Sequence, residues 1–160
     1  MITQLPITTN AANKRDVRSQ FAALCYRVNK KGNPKILLVT SRGTKRWVVP
    51  KGWPMDGRTP AASAAQEAWE EAGVRGRAGD QCLGLYSYQK WLDRAAPLPI
   101  IVMVYPVAVS ELADDFPEQS QRLRKWFSPS RAASLVQEPE LARILQEFHP
   151  DLLQWAPHCT

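Results

Sequence analysis

Glu67, Glu70 and Glu71 fall within one short run, QEAWEEAGV, which ends at Val74. In a helix, spacings of three and four residues stack side chains on one face. At about 100° per residue, with Glu67 as origin, Glu70 falls near 300° and Glu71 near 40°. Ala61, Ala65, Ala68, Trp69 and Ala72 fall between roughly 100° and 200°. One face can therefore bury while the opposite face carries only acids. Like charges this close repel, and a divalent cation would remove the repulsion. Hard cations such as Mg²⁺ take oxygen ligands and are held by a few carboxylates together with substrate phosphates. A lone ExxEE run is more often a solvated acidic face, so its flanks must decide.

The flanks supply a helix and a loop. Thr59 suits the N-cap and Pro60 the first helical position. Alanines fill the interior, and Gly73 sits where a glycine stops a helix. Before the helix, Pro50 to Arg58 forms a loop rich in Gly and Pro.

The whole segment Gly52 to Val74, GWPMDGRTPAASAAQEAWEEAGV, resembles the Nudix box, GX5EX7REUXEEXGU with U a bulky apolar residue. Gly52, Glu67, Glu70, Glu71, Gly73 and Val74 match at the correct spacing. Arg58 departs where the pattern has its first Glu, Gln66 departs where it has Arg, and Ala68 is small for its apolar slot. Because both members of the Arg/Glu pair are replaced, one expectation is compensation, with Arg58 supplying a guanidinium from the other side. The competing expectation is a weakened site that binds without cleaving. Outside the box, FAALCYR (21–27), ILLVTSR (36–42), RWVVPKG (46–52) and RKWF (124–127) are similar to the diphosphoinositol polyphosphate phosphohydrolase branch. PKG before the box is also similar to diadenosine polyphosphate hydrolases. The likeness covers roughly residues 18 to 130.

This resemblance implies an α+β fold, the Nudix α/β/α sandwich with a mixed sheet. It implies metal-dependent hydrolysis of a phosphoanhydride, with Mg²⁺ as cofactor and Mn²⁺ as a substitute. Such chemistry needs a cation to bridge phosphate oxygens, a base for water, and cationic side chains for the remaining phosphates. By similarity, Glu67 and Glu71 are the metal ligands, with a backbone carbonyl added by the loop at Lys51 and Gly52. By the same similarity Glu70 is the base, with Glu67 as the alternative because Nudix enzymes differ in which glutamate takes that role. Arg18, Arg42, Arg46 and Lys51 match positions that line the substrate site in similar proteins. Arg122, Arg124 and Lys125 form a second basic cluster. A further acid from outside the box has candidates in Glu111, Asp114 and Asp115. Trp53, Trp91 and Tyr88 are candidates to stack on a base.

The elements that must position these residues come from hydrophobic patterning. Strands are expected at Phe21 to Val28, Ile36 to Thr40, Trp47 to Val49, Leu83 to Gln89, Ile100 to Val109 and Lys125 to Phe127. The fifth, nearly all apolar, reads as buried on both faces. Helices are expected at Ala132 to Val136 and Glu140 to Phe148. Residues 1–17 read as a loose leader, 18–155 as one domain and 156–160 as a tail.

Composition bounds the rest. The chain has 160 residues, the size of one domain with a real core. The three cysteines, Cys25, Cys82 and Cys159, are odd in number and form no metal-binding spacing. That suits a reducing, cytoplasmic setting. The N-terminus lacks the pattern of a signal peptide, and no run is apolar enough to span a membrane. The net charge of +6 favours an anionic partner. A small polyanionic phosphate substrate suits bases beside an acidic helix better than nucleic acid does. A broad nucleoside diphosphate-X hydrolase, for example on ADP-ribose, is the alternative enzyme. A non-catalytic module that binds a phosphometabolite or an RNA end is the alternative outside enzymes. Oligomeric state is not legible.

Overall fold

The computed structural model describes residues 18–91 and 97–154. The expected leader and tail lie outside the described residues. The scaffold is one mixed sheet. Strands β1 (Ser19–Val28), β2 (Pro34–Thr40), β3 (Trp47–Val48), β4 (Lys51–Gly52), β5 (Val74–Ala78), β6 (Gly84–Lys90), β7 (Leu98–Leu112) and β8 (Arg124–Phe127) join helices α1 (Pro60–Ala72), α2 (Pro129–Leu135) and α3 (Pro139–Glu147). The strand order is β3-β2-β1-β7-β5, with β4 on β1, β6 on β7 and β8 on β2. Among the described residues only the β1–β7 pair is parallel, with Phe21 opposite Met103. All other pairs are antiparallel.

Period-two alternation along β1 explains the three layers. Phe21, Ala23 and Cys25 join one buried cluster, with Ala61, Ala64, Ala68 and Ala72 of α1. Ala22, Leu24 and Tyr26 join the other, with Ala132 of α2 and Leu141 and Leu145 of α3. The alanine face brings α1 close to the sheet, which fixes its acidic face at one rim. The entries of α1 and α2 carry side-chain caps. Thr59 Oγ1 accepts from the Ala62 N–H at 3.1 Å, and Ser128 Oγ from the Arg131 N–H at 3.2 Å. Pro60, Pro129 and Pro139 occupy first-turn positions. Gly73 ends α1 in the left-handed region, φ 66°.

Two expectations change. The apolar run at Ile100 to Val109 is covered on both faces only from Val104 to Val107. Ile101 is 51% exposed while Ile100 and Val102 are fully buried. The α1 layer does not extend over that end of β7. Strand β5 was not expected, because VRGRA has no apolar period. It forms by pairing with β7, through a bulge between Arg75 and Gly76.

Candidate active site

The acidic face of α1 looks into a cleft of about 700 Å³ between that helix, the β4 loop and the segment joining β7 to β8. Glu67, Glu70 and Glu71 all line it, as the helical spacing requires. Strand β4 pairs Gly52 with Phe21 of β1, which lays the loop backbone against α1. A Cβ at Gly52 would collide with the Glu67 carboxylate. Glycine is needed there because a carboxylate occupies the space of a side chain. One residue earlier, the Lys51 N–H donates to Glu71 Oε2 at 3.3 Å.

Electrostatics follow from this crowding. Burial, then the charges of Glu71, Glu70 and Glu118, push the Glu67 carboxyl up to about 8. Burial also pushes Glu71 up to about 7, against the lowering effect of Arg122 and Lys51. Lys51, half-buried beside them, shifts in the opposite sense. Desolvation pulls its ammonium down, and the Glu71 charge works against that. Its Nζ stands 5.1 Å over the Tyr88 ring. Tyr88 in turn donates to Gln20 Oε1 at 2.5 Å.

The sequence-expected acids meet, and the expected bases divide. Lys51 and Arg42 line the cleft. Arg42 is 63% exposed, with its Nε 3.5 Å from Glu118. Arg46 does not line it. Its guanidinium pairs with Glu138 at 2.8 Å, and neither residue lines the cleft. Arg18 is exposed at the start of β1 and lies outside the lining. Arg124 donates to the carbonyl of Ala72 at 2.6 Å, so it serves the end of α1 rather than the cleft. Lys125 is exposed, with its ammonium 5.6 Å over the Phe127 ring. β8 alternates, so neighbours in sequence point to different places. Arg58 is exposed and outside the lining, so the expected compensation from that side is not what the fold provides. Of the aromatic candidates, Trp53 and Tyr88 line the cleft, whereas Trp91 is 65% exposed and lies outside the lining.

The acid from outside the box that lines the cleft is Glu118, whereas the candidates Glu111, Asp114 and Asp115 do not line it. The Glu118 N–H donates to the Glu70 carbonyl at 3.0 Å, which ties its loop to the helix. Arg122, four residues on, contacts both Glu118 and Glu71 at 3.2 Å. The signal in the sequence was the ExxxR spacing of Glu118 and Arg122, which reads as an ordinary surface pair. Gln66 donates to Glu70 Oε1 at 3.3 Å.

Among the described residues, no three acidic, imidazole or thiol side chains are already gathered into one coordination shell. The donor set nevertheless fits a hard cation. It is all oxygen, it shares one cleft, and mutual repulsion raises Glu67. The loop glycine leaves the Glu67 carboxylate room beside the backbone.

A three-layer α/β/α sandwich with such a helix and loop defines a class of phosphate-cleaving enzymes. A NUDIX domain model matches residues 18–152, and the chain belongs to that family as a Nudix pyrophosphohydrolase. It is 29% identical over 147 residues to diphosphoinositol polyphosphate phosphohydrolase 2 of Rattus norvegicus, covering 89% of this chain and 77% of that one. It is 30% identical over 147 residues to the 3-beta enzyme of Homo sapiens, covering 89% and 85%. Among solved structures, a C. elegans Ap4A hydrolase is similar with TM-score 0.56 and 19% identity, covering 81% of this chain and 94% of that one. The E. coli dihydroneopterin triphosphate pyrophosphohydrolase is similar with TM-score 0.62 and 15% identity, covering 82% and 94%. These two share the fold.

Proposed function

We propose that the protein hydrolyses a phosphoanhydride bond in a small polyanionic substrate, with Mg²⁺ or Mn²⁺ bound at Glu67 and Glu71 beside Gly52. The observation that carries this is the charge of the cleft. Among its lining residues are five acids (Asp56, Glu67, Glu70, Glu71, Glu118) and four bases (Arg42, Lys51, Lys90, Arg122). A cation held by the acids would leave the bases to meet an anion beside them. The bound cation would supply charge neutralisation at the phosphates. Glu70 accepts the proton of the attacking water, and the Gln66 amide holds its carboxylate in place. Arg42 and Lys51 face the remaining phosphates, the first as a planar fork and the second as a point charge. Arg18, Arg46, Arg124 and Lys125 are left to long-range attraction.

The substrate we favour is a diphosphoinositol polyphosphate or a dinucleoside polyphosphate, which the names of the relatives support. A nucleoside diphosphate-X compound such as ADP-ribose is the second reading. It is favoured by Trp53, Tyr88 and Met55 on the cleft wall, which suit a base better than a phosphate. A panel of diadenosine polyphosphates, diphosphoinositol polyphosphates and ADP-ribose, assayed with Mg²⁺, Mn²⁺ and chelator, tests both. Metal-dependent release from a polyphosphate supports the first reading. Cleavage of ADP-ribose alone supports the second. Tight binding without cleavage of any member overturns both in favour of a binding module.

A further inference from the structure

The box position that the pattern gives to arginine holds Gln66, yet the cleft does not lack a guanidinium. Arg122 reaches in from the segment before β8, with its side chain only 8% exposed. It donates from Nη1 to the Thr40 carbonyl at the end of β2, at 3.0 Å. Its Nη2 meets Glu71 Oε1 at 3.2 Å and Glu118 Oε1 at 3.2 Å. Its Nε also donates to Glu118 Oε1, at 3.3 Å. One planar cation thus joins the sheet, the acidic helix and the loop that carries Glu118.

The same segment is bolted to the C-terminal end of α1, where helix carbonyls lack intrahelical partners. The Glu118 N–H donates to Glu70 O, the Ala113 N–H to Gly73 O, and Arg124 to Ala72 O. The segment is therefore positioned before Arg122 makes its contacts, and those contacts are available for orienting carboxylates. Gln66 reaches only Glu70, through a neutral amide.

We infer that Arg122 is the positioning residue of this site. From a different element, it holds Glu71 and Glu118 in one arrangement toward the cleft, a role that Gln66 cannot perform. This rests on the proposed hydrolase function and deepens it. Arg122 touches no reacting atom. It acts through the two carboxylates, and its fork geometry is what lets one side chain serve both.

The test is chemical rescue of Arg122→Ala, with divalent-cation affinity as a second readout. Partners that orient carboxylates at metal sites cost about 10- to 100-fold in affinity or activity when removed. That loss is expected in kcat or in Mn²⁺ affinity, with the circular dichroism of the native fold. Because Arg122 lines the cleft, a free guanidinium ion can reach the space it leaves. Millimolar guanidinium should restore at least about a tenth of the lost kcat or Mn²⁺ affinity, on the same scale of effect. Urea at equal concentration should restore nothing. Arg122→Lys keeps the charge but loses the fork, and it should also show the loss, which covers failure of the alanine variant to fold. Full activity and Mn²⁺ binding in the lysine variant would overturn the inference. So would a folded alanine variant whose loss guanidinium does not reverse. If wild type cleaves nothing, the proposed function fails, and the Mn²⁺ titration alone still decides the role of Arg122.

Discussion

Filling the site with a divalent cation should release protons, and the structure gives the amount. In the metal-free protein, burial and crowding hold Glu67 up at about 8 and Glu71 at about 7. At pH 7 the first is mostly protonated and the second half protonated. A cation requires both as carboxylates. Binding should therefore displace roughly one to two protons at pH 7, more at pH 6 and few at about pH 9. Apparent affinity for Mg²⁺ should rise with pH and level off above about 8. The assay is isothermal titration calorimetry in buffers that differ in ionisation enthalpy. The slope of observed heat against that enthalpy is the number of protons released. Metal-free stability runs the opposite way, falling as pH rises. Both folded-state values lie above the ordinary 4.5. Their contribution to metal-free stability is thus fully present below about pH 4.5 and lost as pH rises through 7 to 8. Metal-free melting temperature should fall across that window, and Mg²⁺ should cancel the fall. Cation binding at pH 7 with no proton release would refute the argument that these two acids are crowded, desolvated and ligating.

Other consequences separate the site from its supports. Gly52→Ala should push the Glu67 carboxylate away and weaken Mn²⁺ binding by about 10- to 100-fold, measured by titration. Unchanged binding would show that Glu67 is not held against the loop. Arg124→Ala removes a charged donor from the end of α1, and it should cost about 1–3 kcal/mol in chemical denaturation while kcat at saturating Mg²⁺ stays near wild type. Arg46→Ala strands the nearly buried Glu138, whose Oε2 already lacks a partner. It should destabilise the fold by about 3–5 kcal/mol in the same assay, whatever it does to turnover.

The acidic helix was legible because it depends on local rules. Thr59, Pro60, the alanine stripe and Gly73 specify its ends and its buried face, and that face fixes where three carboxylates point. The sandwich was legible through the family resemblance, and β1 realises it by feeding alternate residues to two cores. Strand β5 was not, because Arg75, Gly76 and Arg77 gain strand geometry only from pairing with β7. The bases were legible as charges but not as partners. Arg46 and Arg124 look like Arg42 in the sequence. Glu138 and the Ala72 carbonyl claim them, and both claims are made by residues 52 or more positions away. Glu118, and the contacts that Arg122 of the basic cluster makes with it and with Glu71, were hidden for the opposite reason. Their local spacing suggests an ordinary surface pair, and only the fold turns that pair toward Glu71.

The proposed function has this cleft hydrolysing a phosphoanhydride with its three helical glutamates. Its most direct test is turnover of diadenosine tetraphosphate and a diphosphoinositol polyphosphate by wild type and Glu70→Gln, at saturating Mg²⁺ and with chelator, alongside substrate binding. Wild type should cleave at least one of them only with the cation. Glu70→Gln should lose about 10²- to 10⁴-fold in kcat while binding substrate nearly as well. Cation-independent turnover, or a glutamine variant as active as wild type, would contradict the account.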